Sequence, residues 1–186
     1  MVCCLLCFSD KPVDDDPKGQ RPNEFQITMM DGLTKNQPVC CGSCLCAPCS
    51  AIWVRHKVLD GKMENYLCCQ NYIQCCCFKG GACGEKHCPH VCLCLEAFCC
   101  VGPSMSSSRA FVMDMYDLKS DPCDNRLIRF SNCMQVLSCI CDILAIFCDG
   151  FKQIAQLVRL IATLVFYCTL GCMASQVSYE VDYRKE

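Results

Sequence analysis

Apolar positions are unevenly spread along this chain of 186 residues, and their spacing separates three stretches. Residues 9–39 show no period. They carry Pro12, Pro17, Pro22 and Pro38 and the acidic run 14–16, the pattern of a solvated irregular arm, in which only "FQITMMDGL" is apolar enough for a short strand ending at Asp31-Gly32. Two helical spacings follow. "AIWVRHKVLD" starts after Ser50, a good N-cap, and reaches Gly61, where a helix would stop; Trp53 within it predicts a core anchor. "SSSRAFVMDMYDL" at 106–118 places Phe111, Val112, Met115 and Tyr116 on one stripe. "CLC" at 44–46 and at 92–94 each lead through further cysteine and serine into a run with one arginine, which predicts a degenerate duplication around one cysteine core.

From Asp121 the register changes. Asp121 stands at the N-cap, Pro122 at the first helical position and Asp124 in the first turn, where the helix dipole favours a carboxylate. This predicts a helix to about Cys148, a break at Asp149-Gly150 and a second helix from about Phe151 to Tyr179. At ~1.5 Å per residue each is roughly 40 Å long, and so short a break makes them antiparallel neighbours. A membrane span needs about 20 largely apolar residues. "FSNCMQVLSCICDILAIFC" is interrupted by Asp142, and "LIATLVFYCTLGCMA" is short, so both suit a core helix or a re-entrant or interfacial hairpin better than a span. Asp142 and Arg159 lie at nearly equal distances from Gly150, hence at one height on facing helices. That predicts a buried ion pair, the alternative being that one or both face water. The fold class is therefore mainly α: a flexible arm (1–39), a cysteine-rich irregular region with short helices (40–121), and a long antiparallel helical hairpin (122–186).

Composition changes the picture through cysteine: 26 residues, about 14%, well above the roughly 8–10% that already signals a cysteine scaffold. "MVCCLLCF" is too short for a signal core, lacks a basic flank and runs into charged residues, so the expectation is a cytosol-facing protein with reduced thiols. A net charge of −2 without a basic run argues against nucleic acid. Enzyme chemistry finds no foothold. "GACGEK" lacks P-loop spacing, there is no serine elbow, and pairs of cysteine with His87 or His90 arise from composition alone.

The cysteines form three constellations. Cys41-x2-Cys44 and Cys46-x2-Cys49 have the spacing with which a turn presents two thiolates to zinc, and Cys83, His87, Cys88, His90, Cys92 and Cys94 supply a second set. Zinc would supply folding energy to segments poor in other apolar residues; disulfides or free buried thiols are the alternatives. Runs of adjacent cysteines suit S-acylation instead, with Cys3, Cys4 and Cys7 the best lipid sites, and Val2 rules out myristoylation. Cys133, Cys139, Cys141, Cys148, Cys168 and Cys172, on the long helices, read as small packing side chains, although Cys168 and Cys172 are one turn apart and able to share a ligand.

"CGSCLCAPCSAIWVRHKVLDG", the later "CLEAFCC" and the serine–arginine helix resemble the placenta-specific-8-like (cornifelin-type) cysteine-rich family over residues 40–116. Cys46-Ala47-Pro48-Cys49 is one residue longer than that family's usual cysteine–proline–cysteine. The resemblance implies a small membrane-associated protein with Cys44, Cys46 and Cys49 as structural cysteines. Together these readings lead to a non-enzymatic, zinc-organised, S-acylated structural or adaptor protein on the cytoplasmic face of a membrane, with a protein partner or second copy on the 122–179 hairpin. A small divalent-metal transporter or channel subunit, with Asp142 and Arg159 lining a pore, is one alternative; a secreted disulfide-rich module is another.

Overall fold

The computed structural model describes residues 20–72 and 84–185. They form a mainly α protein: α1 (Gly32–Lys35), α2 (Gln37–Leu45), α3 (Ala47–Val58), α4 (Pro89–Cys99), α5 (Val101–Met115), α6 (Pro122–Phe147) and α7 (Lys152–Lys185), with 3-10 turns at Met63–Asn65, Cys68–Asn71 and Asp149–Phe151. Among the described residues there is no strand, only an isolated bridge between Asn23 and Leu118. "FQITMMDGL" turns instead of extending. The Thr28 amide donates to Asp31 Oδ2 and the Asp31 amide to Thr28 Oγ1, both at 3.2 Å, a local exchange that competes with strand pairing. Nor is this part of the arm solvated throughout, because Ile27 and Met29 are buried.

Helices α3 and α5 begin earlier than their spacing predicts, at Ala47 and Val101. Pro48 fits the first turn of α3, where its missing N–H has no intrahelical role. Gly61 does end α3: at φ +72° its amide donates to the His56 carbonyl at 2.9 Å. The two halves share a local arrangement, in a different register from the one the triplets predict. In both halves one non-helical cysteine, Cys46 at φ −140° or Cys100 at φ −137°, separates two helices, and a buried arginine, Arg55 or Arg109, follows on the second. The two "CLC" triplets are not equivalent, since 44–46 closes α2 whereas 92–94 lies inside α4. Trp53 is not a core anchor. It is 45% exposed, with the Lys57 ammonium 4.8 Å over its ring, because the buried stripe of α3 runs through Ala51, Val54, Arg55 and Val58.

Helix α6 opens as predicted, with Asp121 accepting from the Cys123 and Asp124 amides. Helix α7 runs past Tyr179 to Lys185 and packs against α6, α2, α3, α5 and α1. Residues 169–178 of α7 are buried on every side. That is possible because Gly171, Cys172, Ala174, Ser175 and Ser178 are small enough for neighbours to approach from all directions. Ser175, Gln176 and Ser178 in this run, and Glu180 just after it, find tertiary partners. Ser175 Oγ donates to the Gly32 carbonyl at 3.0 Å, Lys57 Nζ donates to Ser178 Oγ at 2.6 Å, and the Gln26 amide donates to Glu180 Oε2 at 2.8 Å. The cysteine-rich helices thus wrap the base of the hairpin, and its distal part projects.

Candidate functional site

Three features carry chemical interest: the projecting hairpin, two buried arginine centres and the thiols. On the hairpin, Ile140, Ile146 and Phe147 of α6 and Leu157, Leu160 and Leu164 of α7 are all exposed, Ile146 and Phe147 at 78%. Helix α6 and the stretch Asp149–Lys185 are each long and apolar enough to cross a membrane. This corrects the shorter runs read from sequence, which stopped at the first charge or polar residue; over a longer window one charge does not outweigh its apolar neighbours. Asp142 and Arg159 do meet, with Arg159 Nη2 donating to Asp142 Oδ1 at 2.7 Å. Their pair is not buried within the chain, however, since the side chains are 33% and 64% exposed. Among the described residues, α6 packs chiefly against α7.

The first arginine centre joins α3, α4 and α5. Arg55 Nη2 donates to Glu96 Oε1 at 2.9 Å, to the Ser104 carbonyl at 2.9 Å and to Ser107 Oγ at 2.6 Å. Glu96 Oε2 accepts from Tyr66 Oη and from the Cys69 amide, each at 2.8 Å. Burial lowers the Arg55 pKa while Glu96 opposes the shift, and burial together with Glu96 drives the Tyr66 hydroxyl upward. In the second centre Asp124 accepts from Arg109 Nη2 at 2.9 Å, Gln176 Nε2 at 2.6 Å and the Met29 amide at 2.9 Å. Gln176 also accepts from Arg109 Nε at 3.0 Å and donates to the Ile27 carbonyl at 3.0 Å. Asp124, read from sequence only as a first-turn acid, therefore joins α5, α6, α7 and the segment before α1. Its acidic helix-start position was visible in the sequence; its burial was not.

Cys68 Sγ, Cys69 Sγ and a Glu96 oxygen lie within 4.8 Å of one another, the single such group of metal-ligand type among the described residues. They are held by an unusual backbone, with Cys69, Gln70 and Asn71 at φ 47°, 45° and 60°, three consecutive left-handed residues none of which is glycine. As a cation site the group is poor. Both Glu96 oxygens already accept hydrogen bonds, and the Arg55 guanidinium repels a second cation there. Burial and Glu96 push the Cys69 thiol up to about 11, which keeps it protonated.

The zinc ligands read from the sequence are scattered. Cys46 and Cys49 are joined to each other as a disulfide, which removes both as thiolates. Cys41 and Cys44 are exposed on α2, while Cys88, Cys92 and Cys94 are spread over α4 and the residue before it. His87 is exposed, and the His90 ring stacks on His56 at 5.3 Å. Helix α3 packs between the two supplies, contacting both α2 and α4, so among the described residues the two sets do not converge on one ion. Cys83 and the lipid candidates Cys3, Cys4 and Cys7 lie outside the described residues. Cysteines brought near one another across helices include Cys40 and Cys44 of α2 and Cys168 and Cys172 of α7, which flank Gly171 where it meets α2. Their signal in the sequence was the one-turn spacing within each pair.

No family model, curated protein or solved structure matches this chain.

Proposed function

We propose that this is a non-enzymatic membrane-associated protein of structural or adaptor type, held by insertion of its distal hairpin, with α1–α5 forming a cap at the cytoplasmic face. The observation that carries this reading is the hairpin's apolar exterior, with large side chains exposed on both helices between Phe130 and Tyr167. A contiguous apolar surface of this kind is not stable in water and calls for lipid or a partner. Lipid fits its dimensions: at ~1.5 Å per residue, the stretch from Phe130 to Phe147 covers roughly 27 Å, against a hydrocarbon core of about 30 Å. The Asp142–Arg159 pair brings both helix charges in as one neutral unit. Arg126 and Arg129 at the hairpin base, against Lys152 at its turn, favour keeping the cap cytoplasmic. Acylation of Cys3, Cys4 and Cys7 would add a second attachment. A pore is less well supported, because Asp142 is already closed on Arg159 within one chain.

The test is flotation of the full chain, treated with hydroxylamine to remove thioester lipids, with phosphatidylcholine–phosphatidylserine vesicles, followed by alkaline carbonate extraction. The wild type should stay with the vesicles and Ile143→Lys/Leu157→Lys should be extracted. A wild type that remains monomeric and dispersed in detergent-free buffer overturns the reading. Stable dimers in buffer that ignore vesicles would assign the apolar surface to a second copy instead.

A further inference from the structure

We propose that α4 is an interfacial membrane helix, lying on the bilayer surface beside the point where the hairpin enters, with Val91, Leu95 and Phe98 among the headgroups and upper acyl chains. The inference rests on the hairpin reading above and extends it to the cap. Helix α4 has two apolar faces, where a helix on the surface of a water-exposed cap has one. Leu93 and Ala97 are fully buried against the core, and Glu96, the only carboxylate in the helix, turns inward to Arg55. Val91, Leu95 and Phe98 follow the i, i+4, i+7 spacing of a second stripe, and they are 58%, 60% and 66% exposed. The helix from Pro89 to Cys99 holds no lysine, arginine or aspartate to break that stripe.

Two helix corners fix the height of this surface along the hairpin. The α4–α5 corner touches the hairpin where α7 emerges from the cap. A Cβ on Gly102 would fall 3.3 Å from the Phe166 ring, and Gly102 and Pro103 share a small cavity with Ser131 of α6 and Phe166 of α7. From there α5 runs alongside α7 into the cap, with Arg109 bonded to Gln176 and the Arg184 guanidinium over the Tyr116 ring. The chain bends by 117° between α4 and α5, so α4 crosses the hairpin axis more nearly at right angles than along it. A hairpin standing across the bilayer therefore holds α4 nearer the membrane plane than its normal, with the Phe98 end next to the point of entry. Ser131 follows Phe130, where the apolar stretch that matches the hydrocarbon thickness begins, which puts the corner at the boundary between headgroups and acyl chains. The α2–α3 corner reaches the same level: the Cys44 thiol donates to the Tyr167 carbonyl at 3.6 Å, and the neighbouring Leu45 is 89% exposed. Two segments distant in sequence thus present large apolar side chains at one height on α7, continuous with the apolar exterior of the hairpin. A bilayer surface perpendicular to the hairpin meets both at once.

The experiment reconstitutes the full chain in vesicles of phosphatidylcholine and phosphatidylserine, with tryptophan as a depth probe in a Trp53→Phe background. Phe98→Trp reports on α4, Ile140→Trp on the middle of the hairpin, and Tyr183→Trp on the end of α7 farthest from it. All three replace exposed side chains, and each variant is checked for wild-type helical circular dichroism. Phe98→Trp is expected to emit to the blue of Tyr183→Trp. It should lose more fluorescence to lipids brominated near the carbonyl end of the acyl chain than to lipids brominated near its terminus, as suits a depth of roughly 5–10 Å. Ile140→Trp should show the reverse order. Quenching of Ile140→Trp together with a Phe98→Trp as unquenched as Tyr183→Trp overturns this proposal and leaves the hairpin reading standing. Absence of quenching at Ile140→Trp and Phe98→Trp overturns both. A Phe98→Trp shielded from acrylamide yet untouched by brominated lipid gives the stripe to a second copy or a protein partner, and also overturns the proposal. Leu95→Trp, on the same stripe, repeats the measurement if Phe98→Trp loses helicity.

Discussion

Single residues show how far context overrides type. Gly42 and Gly171 look alike in the sequence, yet a Cβ on Gly42 meets nothing within 4 Å, whereas one on Gly171 would strike the backbone of α2. Arg55 and Arg109 are long cationic side chains that a residue scale places outside, and both are buried because a carboxylate waits for each. Histidine offers a pH test at this scale. Burial and the neighbouring His90 hold the His56 pKa below its ordinary 6.5. The folded state thus binds this proton more weakly than the unfolded chain. Stability from this group is fully present above about pH 6.5 and declines as pH falls through the folded value. An NMR titration should place His56 below 6.5 and move it upward in His90→Gln; an unchanged midpoint would show that His90 has no electrostatic hold on it.

At the scale of elements, the strongest local signals gave correct boundaries. Asp121-Pro122 starts α6, the Asp149-Gly150 break leads into α7, and Gly61 ends α3, each through capping or backbone geometry that depends on a few adjacent residues. The same locality explains the errors. Ser50 resembles an N-cap, but Pro48 admits an earlier start, and α7 continues past Tyr179 because packing by five other helices outweighs the polar residues after Ala174. The hairpin's ion pair also belongs here. In vesicle flotation, Asp142→Asn should partition less well than wild type because it leaves Arg159 unpaired, at a cost below the ~2.5–3.5 kcal/mol of an arginine at mid-bilayer. Asp142→Asn/Arg159→Gln should recover partitioning. If the single variant floats as well as wild type, the pair lies outside the hydrocarbon.

Across the whole molecule, α7 is a common axis: its buried half holds the cap together and its exposed half forms one limb of the hairpin. Asp124 ties four segments to that axis. Asp124→Asn leaves the Arg109 guanidinium buried without its counter-ion and is expected to cost ~3–5 kcal/mol. Urea unfolding followed by circular dichroism and by Trp53 fluorescence should shift together. A loss under about 1 kcal/mol, or a shift in one probe only, would show that the segment before α1 detaches on its own.

The sequence by itself determined the mainly α class, the hairpin, its break and the register that sets Asp142 against Arg159. Each follows from rise per residue, dipole and capping over short distances along the chain. Tertiary structure decided which polar side chains are buried, which arginine finds which carboxylate and which cysteines meet. Helical spacing fixes the residues that share a face, so Cys168 and Cys172 were paired from the start. What that face meets depends on a helix more than 120 residues away, brought close by a glycine whose role only the packing reveals.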